Sequence, residues 1–104
     1  MNRITKEGFN RLGFESYKHD PIKEIACDDS DFRYRALDKK GFGWRIEYYH
    51  GEKDDLRNSI WIGANYDFKS KKNTVAHTVR FKGVIHKEED LNNVLKMIGY
   101  EKFH

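Results

Sequence analysis

Hydrophobic positions recur with a helical period at the two ends of the chain and with a period of two between them. Near the start, "ITKEGFNRLGF" (4–14) reads as a short helix. Thr5 is a good N-cap, Ile4 is placed to staple onto Phe9, and Gly13 takes the left-handed position after the last turn, so that Phe14 folds back as an apolar stop. Near the end, "IHKEEDLNNVLKMIGY" (85–100) carries Leu91, Val94, Leu95 and Ile98 at i, i+3, i+4 and i+7, the stripe of an amphipathic helix. Gly99 and Tyr100 repeat the earlier stop. Both segments open Ile-x-Lys-Glu and close apolar-Gly-aromatic. Only this punctuation matches, so shared cap chemistry explains the echo better than duplication does.

Between the helices, "DFRYRAL" (31–37), "FGWRIEYYH" (42–50), "NSIWIGANYDF" (58–68) and "TVAHTVRFKGVI" (74–85) alternate in the manner of strands and are rich in aromatic and β-branched residues. Their connections, "DKKG", "GEKDDLR" and "KSKKN", suit hairpins and are too short for crossover helices. Residues 15–30, with Pro21 and the acidic "DDSD", read as an irregular passage in which "IKEIAC" (22–27) is a candidate edge strand. The pattern predicts one α+β domain over residues 1–104: an antiparallel four- to five-stranded meander with an N-terminal and a C-terminal helix packed on one face. Phe9, Leu12, Phe14, Trp44, Ile46, Val79 and Phe81 are the expected core, joined by the stripe of the second helix.

The segment "KKGFGWRIEYY" (39–49) resembles the Lys/Arg-Gly-aromatic-Gly/Ala-aromatic signature of RNA-recognition motifs. Lys40, Gly41, Phe42, Gly43 and Trp44 fill its first half, and "IWIGAN" (60–65) resembles the companion signature. The order of elements is wrong for that family, and Arg45 and Glu47 stand where an aliphatic and an aromatic residue belong. Sidedness decides the matter. Phe42, Trp44, Ile46 and Tyr48 share one face of their strand and Gly43, Arg45, Glu47 and Tyr49 the other. Two helices must cover the apolar face, which carries the aromatics that an RNA-recognition motif leaves exposed for stacking.

The opposite face holds the candidate site. Alternation sends Arg33, Arg35, Arg45, Arg80 and Lys82 outward around Tyr49, and Trp61 joins them if Ile60 and Ile62 are buried. In the last strand Val75, Val79, Phe81 and Ile85 are expected to face inward with His77, leaving Thr78 outward. Basic groups among aromatics suit an acidic protein surface, because Arg, Tyr and Trp are common interface anchors. They also suit single-stranded nucleic acid, through phosphate pairing and base stacking. A solvated sheet face, with Arg stems lying across aromatic rings, has the same composition.

Composition narrows these readings. Twenty basic and 17 acidic residues leave a net charge of +3, which permits a basic patch without requiring one. Acidic residues in the adjoining turns would repel a long phosphate backbone, so a protein partner is favoured and nucleic acid, RNA in particular, is the alternative. Cys27 is the one cysteine, which excludes an internal disulfide and fits a reducing, cytoplasmic setting. No apolar run approaches the ~20 residues of a membrane span, and the start has no signal-peptide pattern. His19, His50, His77, His86 and His104 lack metal-ligand spacing, and Asp28, Asp29 and Asp31 lack the continuation of a calcium loop. No metal, cofactor or phosphate-binding loop is therefore expected. An enzyme is not expected either; a small RNase using His50, His77 and nearby arginines is the remote alternative. Oligomeric state is left open.

In "ITKEGFNRLGF" and "EEDLNNVLKMIGY", about a quarter of the chain, the sequence resembles small uncharacterised α+β proteins of bacteria and their phages or mobile elements. Those open with a helix ending Gly-Phe, run through a short sheet and close on a Leu-rich helix. The resemblance implies an accessory or host-interaction role and carries over no functional residues.

Overall fold

The structure, a computed structural model, describes residues 3–17, 31–49, 58–69 and 78–101. Helix α1 (Lys6–Arg11) leads directly into strand β1 (Glu15–Ser16), and strands β2 (Asp31–Leu37), β3 (Phe42–Tyr49), β4 (Ser59–Asp67) and β5 (Thr78–Val84) precede helix α2 (Glu88–Met97). The five strands form one antiparallel sheet in chain order. This is the expected meander, but its first edge strand is the pair at 15–16. The candidate strand at 22–27 lies outside the described residues, as do Val75, His77 and His50.

Both helices end in the same way, for the reason the sequence suggests. Gly13 (φ +96°) and Gly99 (φ +87°) adopt the left-handed conformation after the last turn. The Phe14 N–H then donates to Phe9 O at 3.0 Å and the Tyr100 N–H to Leu95 O at 2.9 Å, the six-to-one bond of a Schellman stop. The two stops meet: the rings of Phe14 and Tyr100 stack with centroids 4.7 Å apart, and Tyr100 Oη donates to Leu12 O at 2.8 Å. At the other end of α1, the Thr5 hydroxyl accepts from the Gly8 N–H at 3.2 Å, the cap that its identity predicts.

The inner face of the sheet carries Tyr34, Ala36, Ile46, Tyr48, Ile60 and Ile62, all buried in one cluster with Ile4, Phe9, Leu91 and Leu95 from the helical segments. Phe9 stacks on Tyr34 at 3.8 Å and meets Tyr48 edge-on at 5.5 Å. Tyr48 Oη accepts from the Ile4 N–H at 3.1 Å and lies 3.0 Å from Ile85 O and 3.1 Å from Asn58 Oδ1. The Asn58 side chain also bonds to His86 Nδ1, so this buried polar side chain is satisfied on both sides.

Two core expectations are overturned. Val79 is 47% exposed, because β5 carries an extra residue: Ile62 pairs with Phe81 but the adjacent Gly63 pairs with Val79, skipping Arg80. Beyond this bulge the alternation reverses, so Val79 falls in the outer row and Thr78 opposite the buried Ala64. Phe42 is 39% exposed; it pairs with Asp67 at the end of the sheet, and its ring lies 5.3 Å from Lys69 Nζ. Trp44 does pack against the core, with Tyr100 edge-on at 5.5 Å.

Candidate functional site

Strand register sets the outer face out in rows. One row runs Arg33–Glu47–Trp61–Lys82, the next Glu15–Arg35–Arg45–Gly63–Val79, and a third Tyr49–Ser59–Val84. Trp61, whose side was ambiguous, therefore stands outside beside Lys82. All of Arg33, Arg35, Arg45, Tyr49, Trp61 and Lys82 come together on this face. Arg80 is the extra residue of the β5 bulge and is exposed.

The arginines are not an open basic surface. Arg45 donates through Nε to Tyr17 Oη at 2.8 Å and through Nη2 to Glu47, whose other carboxylate oxygen accepts from Tyr49 Oη. Arg33 Nε lies 3.7 Å from the same carboxylate, and Arg35 pairs with Glu15 at 3.0 Å. The side chains of Arg33 and Arg45 keep only 11% and 13% of their surface exposed, so most of their charge is spent inside the face. Arg35 and Arg45 are directly opposed, a like-charge pair that is relieved because each turns to a different carboxylate.

Aromatic rings fill the spaces between them. The Arg45 guanidinium lies 5.3 Å from the Trp61 ring and 5.2 Å from the Tyr66 ring, next to Gly63, which presents no side chain. Arg35 lies over Tyr17 and Phe68 at 5.2 and 5.5 Å, and Phe68 in turn contacts Tyr17 and Tyr66. Tyr66 reaches this face through a second bulge, where Ala64 and Asn65 (φ +59°) together oppose Trp44.

Burial works against ionisation of Glu47, but Arg45, the Tyr49 hydroxyl and Arg33 outweigh it and hold its carboxyl below the usual range. Burial likewise works against the Arg45 charge, yet Tyr17 and Glu47 raise its pKa. Burial raises the pKa of the Tyr17 hydroxyl despite Arg45. The Glu47 carboxylate is thus a fixed anion between two cations.

On the β4–β5 side this network opens into a shallow groove of about 700 Å³, whose lining includes Glu47, Trp61 and Ser59 with Arg45, Tyr49, Lys82 and Val84. Val84 is 57% exposed there. Four of the expected residues, Arg45, Tyr49, Trp61 and Lys82, line it; Arg33, Arg35 and Arg80 do not. Sequence reasoning placed Glu47 on this face without seeing that it organises the arginines. It missed Tyr17, set there by the short edge strand, and Tyr66, set there by a bulge. Among the described residues no group of His, Cys, Asp and Glu could hold a metal ion, and no helix is long and apolar enough to cross a membrane. Comparison of the chain with family models, with curated proteins and with solved structures gives no match.

Proposed function

We propose that the protein is a non-enzymatic binding module that holds a protein partner in the outer groove between β3, β4 and β5. The supporting observation is the groove itself, where Trp61 is fixed against Arg45 and flanked by exposed Val84 and Lys82. An aromatic anchor with an apolar neighbour and a peripheral charge has the composition of an interface hot spot. Because Arg45, Glu47 and Tyr49 already hold one another, little side-chain freedom is lost when a partner docks. An accessory or host-interaction role, as the end-segment resemblance implies, fits such a module.

Protein is favoured over single-stranded RNA because the arginines that would meet phosphates are engaged by Glu47 and Glu15. Glu47 is suited to ion pairing and not to the role of a general acid near neutral pH, which needs a raised pKa where this one is lowered.

The test is affinity capture from the source organism followed by direct titration. Trp61→Ala should weaken the captured partner by at least ~2 kcal/mol, the scale of a hot spot. Met97→Ala, at a 79% exposed position on α2, should leave binding unchanged. A partner indifferent to Trp61→Ala would mean that another surface is used. Titration with labelled single- and double-stranded oligonucleotides at two salt concentrations should show no tight binding. Micromolar binding that falls steeply with salt and is lost in Lys82→Glu would overturn the protein reading in favour of nucleic acid.

A further inference from the structure

We infer that the free edge of β5 takes up an extended acidic segment of the partner as an added strand. This rests on the outer-groove reading and goes beyond it by naming the partner's chemistry and its mode of docking. β5 is the last strand of the sheet, and among the described residues nothing pairs with its far side. The phase of the ladder says which groups are available there. Ile85 N–H donates to Asn58 O at 3.0 Å, and bonded and non-bonded pairs alternate in an antiparallel ladder. Ile60/Gly83 and Ile62/Phe81 are therefore the bonded pairs, and the backbone groups of Lys82 and Val84 point away from β4.

The side chains of these two residues stand in the outer rows, beside Trp61 and Ser59. The backbone that would bond an incoming strand and the side chains that would read it thus belong to the same residues, at the rim of the groove. Charge selects the occupant. Arg33, Arg35 and Arg45 have carboxylate partners, whereas Arg80 and Lys82 are exposed and have none among the described residues. A second copy of β5 centred on Lys82 would set Lys82 against Lys82, and like charges directly opposite one another destabilise a strand pair. The charges that protect the edge from self-pairing therefore admit an acidic strand. Exposed Val84, two residues from Lys82 on the same face, calls for an apolar side chain two residues from the acid.

A random peptide library displayed on phage, selected against the full chain, supplies the probe. Selected peptides should carry Asp or Glu two residues from an aliphatic or aromatic side chain. With such a peptide bound, amide exchange at Lys82 and Val84 should slow by about tenfold or more, while Phe81 and Gly83, already bonded to β4, change little. N-methylation of alternate peptide residues, or Lys82→Glu, should each weaken binding by about tenfold or more. The inference is overturned if no peptide is selected, if the selected sequences lack acid, or if Lys82 and Val84 are already slow to exchange in the free protein. Peptides that need Trp61 but leave those two amides unprotected would overturn strand addition and spare the groove. Peptides that protect them equally well in Trp61→Ala would overturn the groove reading instead.

Discussion

A methyl group at Gly43 would sit 1.9 Å from the carbonyl oxygen of Ala36 on the paired strand. Gly41, two residues earlier, has φ +86° and closes the β2–β3 turn through its N–H to Asp38 O at 3.2 Å. Both glycines of the segment that resembles an RNA-binding signature are thus required by the hairpin. Because the obstacle at Gly43 is backbone, Gly43→Ala should destabilise by about 1–3 kcal/mol or more in urea unfolding. An unchanged midpoint would mean that the strands separate there at little cost. Glu47 makes a second residue-scale prediction. Its pKa is lowered in the folded protein, so its contribution is present above the ordinary carboxylate range and is lost as pH falls through the lower folded value. Glu47→Gln should cost about 1–3 kcal/mol at neutral pH, since Arg45 and Arg33 lose their shared anion. The difference from wild type should shrink as the pH is lowered below about 4, near the unfolded pKa of Glu. A constant difference across that range would show that the carboxylate is not what the arginines use.

At the scale of elements, the helices were legible and the strand parities only partly so. Cap residues act within a few positions of themselves, which is why Thr5, Gly13 and Gly99 could be read from the chain. The contact between Phe14 and Tyr100 is a meeting of two such local motifs and could not be read from either alone. Alternation correctly separated Tyr34 from Arg35 and Ile46 from Arg45, and it failed where a bulge intervened. Nothing local marks Arg80, or Ala64 with Asn65, as a bulge; the first turns Val79 outward against expectation and the second brings Tyr66 to the outer face. The edge strand at Glu15–Ser16 is too short to show a period. The stripe of α2 is the element-scale claim that matters most for stability. Leu95 is 1% exposed within the core, so Leu95→Ala should cost about 2–5 kcal/mol by chemical denaturation. A wild-type curve would mean that α2 does not pack on the sheet through this residue.

Across the whole molecule, both faces of the sheet are filled, by different chemistry. Helices and apolar side chains cover the inner face, while arginines interleaved with aromatic rings cover much of the outer one. The sequence showed the basic-aromatic composition of that second layer. It could not show that three arginines are paired within it, because Glu47 and Glu15 meet them across strands. What stays open is the β4–β5 side, where the proposed partner covers Trp61. The chain has two tryptophans, so in Trp44→Phe the fluorescence of Trp61 can be read alone. Acrylamide quenching of that signal, with and without the captured partner, is the most direct measurement. Bound partner should shield Trp61 and lower its quenching constant severalfold; an unchanged constant at saturating partner would contradict docking in the groove.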